Sequence, residues 1–216
     1  MNVLIGIWIT ISIVAAFFVP EVQELQATPI AFFHVPMAIT MFGCFFAAAG
    51  SGIGWLATRQ EKWDAWSLAW GEVGFAAGCI TFLTGLVFAG ANWGAFWTGD
   101  PQQVGVLGTL MLYAAMLSLR SAIDDDRKKR NFWAVYSLFG VLVACFGGYI
   151  YSRIVPPNAS LHPNGTLKTS SEIYKFVFTF NIFGFFILMS RIAFLRAKLE
   201  RITNRLREMA WETVEV

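Results

Sequence analysis

The stretch Ala31 to Ala57, AFFHVPMAITMFGCFFAAAGSGIGWLA, contains no Asp, Glu, Lys or Arg. At ~1.5 Å per residue, a helix of that length crosses the ~30 Å hydrocarbon core of a bilayer. Working outward, similar runs lie at about 2–19, 66–90, 104–119, 132–152 and 173–195. The first could be mistaken for a leader, but it lacks a basic start and a small-residue cleavage site, and is read as a retained helix. Composition agrees: 56% of the 216 residues are hydrophobic and only 14% charged, where a soluble domain carries about 25% charged residues. The chain is therefore expected to be an all-α, polytopic membrane protein, a single domain of six transmembrane helices. Nothing in it resembles a basic, aromatic-interleaved surface, so no nucleic-acid partner is expected; the lipid bilayer is.

Orientation follows from the cations. Arg59, Lys62, Arg120, Arg127, Lys128, Lys129, Arg130, Arg191, Arg196, Lys198, Arg201, Arg205 and Arg207 fall on the side reached after the second, fourth and sixth runs, and only Arg153, Lys168 and Lys175 on the other. Cytoplasmic loops are the Lys- and Arg-rich ones, so both termini are expected in the cytoplasm. Beyond the sixth run, Ile192, Leu195, Leu199, Ile202, Leu206 and Met209 recur at helical spacing between basic residues. Residues 196–216 thus read as a cytoplasmic amphipathic tail that continues the last helix, suited to anionic lipid or to another subunit.

The outward segments carry the chemistry. Trp93-Gly-Ala-Phe-Trp-Thr-Gly-Asp100 packs two Trp, a Phe and an acid into the interval between the third and fourth runs. Trp gathers at bilayer interfaces as a matter of course. A compact block with Gly94 and Gly99 interleaved also lets flat rings lie against a flat ligand, while Asp100, Gln102 and Gln103 can hydrogen-bond the loop into shape. The two His of the chain, His34 and His162, both map to this face. His34 opens the second run, its ring expected to project toward the outer water, with Pro36 expected in the first helical turn. His162 lies in a Pro- and Gly-rich loop. Each is either an interfacial hydrogen-bonding group or a ligand. Zinc would require three or four protein ligands; haem iron requires two axial ones. Cys44, Cys79 and Cys145 lie singly in spans and are read as packing residues. Glu72, an acid within the third run, requires either a partner or reach to water. No catalytic or ATP-binding motif is present, so the chain is not expected to be an enzyme.

Taken together, Trp93-Gly94-x-x-Trp97-x-x-Asp100, His34 in a His-Val-Pro context and His162 in the last outer loop resemble the CcmC family, the haem-handling WWD-domain membrane proteins of cytochrome c maturation. The resemblance covers nearly the whole chain. It implies a multi-pass protein of the bacterial inner membrane that transiently binds haem b on the outer face. His34 and His162 would be the axial ligands of the iron, and Trp93, Gly94, Phe96, Trp97 and Asp100 would line the haem. The implied partners are an outer-face, CcmE-like haem chaperone and CcmA-, CcmB- and CcmD-like subunits of a maturation complex related to ABC transporters. The motif departs from the family's W-G-x-x-W-x-W-D in having Gly99 for the last Trp. Pro101, Gln102 and Gln103 stand where an Arg usually follows, leaving Arg153 and Lys168 as cations for the propionates. The alternatives are a permease subunit of a haem or small-molecule exporter, and a bis-His haem electron carrier.

Overall fold

Around the 31–57 run the chain forms helix α2 (Ala31–Thr58), and a tight turn sends it back as α3 (Glu61–Trp93). Arg59 makes that turn in the left-handed region at φ 58°, its N–H capping the Trp55 carbonyl at 2.8 Å. The computed structural model describes residues 2–19, 29–156, 159–162 and 170–214. Within these, α1 spans Asn2–Ala16, α4 Pro101–Ala122 and α5 Asp126–Cys145; a π-helical turn (Phe146–Ile150) leads into the short α6 (Tyr151–Ile154), and α7 runs unbroken from Glu172 to Val214. No strand occurs among the described residues.

Five of these helical stretches are long and apolar enough to cross a membrane, α5 counting together with the π turn and α6. The 15-residue α1, about 22 Å long, is shorter than the ~30 Å hydrocarbon core. The expected run to residue 19 ends early because Phe17 and Phe18 close a turn onto the carbonyls of Val14 and Ala15. The last span and the amphipathic tail form one helix of 43 residues, as the spacing predicts.

In lipid, helices associate by packing and interhelical hydrogen bonds, since neighbouring chains are as apolar as Leu. The core obeys this. Phe45 stacks on Tyr113 with centroids 3.8 Å apart, and Trp133, fully buried, lies so close over Gly71 that a Cβ there would sit 2.3 Å from its ring. The Trp133 indole N–H donates to Ser67 Oγ at 3.0 Å, which donates to the Ala48 carbonyl at 2.7 Å. Gly52, Gly74 and Gly78 also make close contacts, whereas Gly50 faces open space. Cys44, Cys79 and Cys145 are free thiols.

Pro36 lies in the second turn of α2, not the first as expected from sequence. A proline there leaves the carbonyl four residues back without its helical donor. That carbonyl belongs to Phe32, and Asn181 of α7, fully buried, donates its side-chain amide to it at 3.1 Å. The kink-prone residue beside His34 thereby ties α2 to α7.

The alternating helices gather the 59–60 and 123–125 turns and the tail of α7 at one end, the basic end, and residues 94–100, 155–156 and 159–162 at the other, the aromatic end. At the basic end Arg120 and Asp64 form a two-pronged pair at 2.9 and 2.7 Å, both side chains buried. Glu72 finds its partner in Arg196 of α7, at 2.6 Å, and Arg196 also reaches Glu200 at 2.8 Å.

Candidate functional site

The aromatic end is built from the Asp100 carboxylate. Asp100 caps α4, accepting from the Gln102 N–H at 2.8 Å, with Pro101 supplying the fixed φ suited to a first helical residue. Its carboxylate reaches further than its own helix. Oδ2 accepts from the Leu161 N–H at 2.6 Å and the Ser160 hydroxyl at 2.9 Å, and Oδ1 accepts from His162 Nδ1 at 2.8 Å. The segment bearing His162 therefore hangs from one buried carboxylate.

Gln103 sets the turn before it. Its Oε1 accepts from Thr98 N and Oγ1 at 3.0 and 2.9 Å, and its Nε2 donates to the Phe96 carbonyl at 3.1 Å. Gly94 and Gly99 adopt φ +79° and +71°, left-handed values that cost an L-residue roughly 1–2 kcal/mol. The turn's geometry thus accounts for glycine at both positions.

His34 is held differently. It points into the α2–α3 interface, not out toward water: Nδ1 lies 3.0 Å from the Thr81 carbonyl and 3.2 Å from Thr84 Oγ1. A Cβ on Gly85 would lie 2.8 Å from its ring, so only glycine admits the imidazole there. A carbonyl and a carboxylate can only accept, so both histidines carry their proton on Nδ1. Among the described residues neither Nε2 makes a hydrogen bond. Fixing one nitrogen through such an acceptor leaves the other as the metal-binding lone pair.

The two rings border one cavity, lined also by Thr81, Phe88, Trp93 and Gln102. A string of ring contacts runs around it. His34 stacks on Phe88 (6.3 Å, 11°), Phe88 meets Trp93 edge-on (5.8 Å, 89°), and Trp93 meets His162 edge-on (5.0 Å, 73°). With room for only about 50 Å³ of water-sized occupants, the cavity is far too small for a porphyrin in this conformation.

Of the residues anticipated from sequence, His34, Trp93 and His162 meet at this cavity, and Asp100 stands behind His162. Phe96 and Trp97 do not line it. Phe96 lies 65% exposed over Gly90, and Trp97, 47% exposed, touches Phe82. Arg153 lies across the Tyr149 ring at 3.6 Å; Lys168 lies outside the described residues. The sequence reading missed Thr81, Gly85 and Phe88, although their spacing of four and three places them on one face of α3. No group of three His, Cys, Asp or Glu capable of holding a metal ion occurs among the described residues.

Electrostatics favour a neutral imidazole at the loop. Burial pushes the His162 imidazole below its ordinary 6.5; Asp100 pulls it back only in part, and Arg153 adds to the lowering. Burial pushes the Asp100 carboxyl up, but the Leu161 and Gln102 N–H groups, His162 and the Ser160 hydroxyl together hold it below the usual carboxylate value.

Fold and site define a class: a multi-pass helical membrane protein with two histidines and a tryptophan-bearing turn at one end. The family model described as CcmC, Heme exporter protein C, matches residues 1–212, and the chain belongs to that family. It is 24% identical over 200 residues to the Heme exporter protein C of Paracoccus denitrificans, covering 90% of this chain and 82% of that protein. The Heme exporter protein C of Escherichia coli K12 is 24% identical over 180 residues, covering 82% of this chain and 72% of its own length. A shorter match, 30% over 91 residues, covers 42% of this chain and 29% of the cytochrome c biogenesis protein CcsA of Prochlorococcus marinus NATL1A.

Proposed function

We propose that this protein handles haem in cytochrome c maturation. Haem b is held at the aromatic end with its iron between His34 and His162, then passed to an outer-face haem chaperone of the CcmE type, alongside CcmA-, CcmB- and CcmD-like subunits. The observation that carries this reading is the matched pair of imidazoles. Each has Nδ1 engaged by an acceptor and, among the described residues, no partner on Nε2, and both border one aromatic-walled cavity. Six-coordinate iron needs two such nitrogens.

The small cavity shapes the mechanism. One ligand sits on a spanning helix wedged against Gly85, the other on a segment suspended from Asp100. Admission of a porphyrin then requires the His162 segment to swing away while α2 and α3 stay in place, and the reverse motion accompanies release. A permanent bis-His electron carrier calls for a preformed pocket, which favours transient carriage over that alternative. The membrane is the bacterial inner membrane, with the basic end and both termini in the cytoplasm.

The double variant His34→Ala, His162→Ala is expected to insert normally, lose the six-coordinate visible spectrum and stop haem transfer. A wild-type spectrum with full transfer would refute the ligand assignment. For orientation, reporter fusions after Asp126 and at the C-terminus should register cytoplasm, and fusions near Gln102 the outer compartment; an outward C-terminus would reverse the scheme.

A further inference from the structure

The outward face of α7 carries a feature that haem handling does not use. Ile187, Arg191, Phe194, Lys198, Arg201 and Arg205 follow one another at spacings of four, three, four, three and four, which keeps them on one face of a helix of 3.6 residues per turn. The opposite face holds Arg196 and Glu200, both bonded in the Glu72 network. Among the described residues, no acid pairs with the cations of the outward face. Lys198, Arg201 and Arg205 are exposed, and none of the four has a carboxylate partner among the described residues; Arg191 Nε donates only to the neutral Asn2 Oδ1, at 3.1 Å.

Below this column the face becomes a groove. Helix α1 leans on α7 through Trp8, which stacks on Phe180 at 4.7 Å, donates to its carbonyl at 3.2 Å and fills the space over Gly184. The two helices enclose a groove of about 820 Å³ lined by Leu4, Ile7, Ile11, Ile187, Arg191 and Phe194. From Phe180 to Phe194 it follows α7 for about 21 Å, at least the ~15 Å depth of one leaflet's hydrocarbon. Its apolar length and one-sided positive head match an amphiphile with a negative end.

We propose that this groove and the cations beyond it form a binding site for an anionic diacyl phospholipid of the leaflet at the basic end. Its acyl chains lie along Leu4, Ile11 and Ile187, and its phosphate sits on Arg191 and Lys198. Charge complementarity selects the occupant, because each exposed Lys or Arg at an anionic surface adds about 1 kcal/mol of attraction. Arg191 also brings a forked donor suited to phosphate oxygens. The site is independent of the haem assignment.

To test it, the full-length protein is reconstituted in vesicles of equal phosphatidylglycerol and phosphatidylcholine, extracted in neutral detergent, and its lipid adducts counted by native mass spectrometry. Phosphatidylglycerol should be retained over phosphatidylcholine by about tenfold or more. The Arg191→Gln, Lys198→Gln variant should lose that preference, Ile187→Trp should reduce adducts by filling the groove, and Lys175→Gln at the far end should change nothing. Equal retention of the two lipids by the wild type would overturn the proposal. So would a preference that survives Arg191→Gln, Lys198→Gln, or one that depends on Arg201 and Arg205 while ignoring Ile187→Trp, which marks surface attraction alone. Recovery of a stoichiometric protein subunit crosslinked in the groove in place of lipid would also overturn it.

Discussion

The two ends of the bundle use polar groups in opposite ways. At the basic end each buried charge is answered by another: Arg120 by Asp64, Arg130 by Glu61 and Asp64, and Arg196 by Glu72 and Glu200. At the aromatic end the polar contacts among the described residues engage one nitrogen of each histidine and none engages the other. A saturated network ties helices together and offers nothing to a ligand; a half-used imidazole is costly to bury unless something is to bind it. The end with more charges is thus the clamp, and the end with fewer is where the proposed ligand would bind.

That contrast can be broken most forcefully at the clamp. Asp64→Ala strands Arg120, only 6% exposed, and loss of one partner from a buried pair costs about 3–5 kcal/mol. Unfolding in detergent, followed by loss of helical signal, should show that loss while any haem spectrum of the folded fraction stays unchanged. A spectral change instead would mean the ends are coupled. At the aromatic end Asp100→Asn keeps the shape but removes the charge that orients His162, and removal of such an orienting partner typically costs about 10–100-fold in metal affinity. Haem titration should show that drop with membrane insertion intact, and a titration indistinguishable from wild type would reduce Asp100 to a helix cap.

The smallest expected effect is on pH. His162 and Asp100 both titrate below their ordinary values of 6.5 and 3.8 when folded. A group depressed on folding contributes stability that is present above its unfolded value and falls as the pH drops below it. Docking of the 160–162 segment should therefore be flat from pH 8 to 6.5, weaken below 6.5 as the unfolded histidine gains a proton that the folded one resists, and weaken again below 3.8. Protection factors for the Leu161 amide measure this directly. A loss of protection between pH 8 and 7 would show that Asp100 does not hold the segment as described.

Much of this architecture was legible beforehand, and the misses have physical causes. Apolar runs announce spanning helices because lipid leaves the backbone no partner but itself, and the same rule located the uncharged run around His34. Run length overstated α1, since hydropathy registers Phe17 and Phe18 as membrane-compatible without registering that they turn. The aromatic stretch was read as one platform, yet the turn that Gly94 and Gly99 create sends Phe96 and Trp97 outward and keeps only Trp93 inside. Glu72 required a partner on energetic grounds, but Arg196 lies far away in sequence and nothing local named it.

By itself, the sequence determined that the protein is helical and spans a membrane, that most of its cations lie at one end, and that its two histidines and its tryptophan turn lie at the other. These are properties of composition and order, which hydrophobic length and charge asymmetry impose on any fold the chain adopts. Only the tertiary structure decided that Asp100 carries the His162 segment, that Thr81 and Gly85 seat His34, and that Asn181 supplies the donor Pro36 cannot. Those contacts join residues 47 to 149 positions apart, and hydrogen-bond partners at such range are set by how helices pack, which no local pattern records.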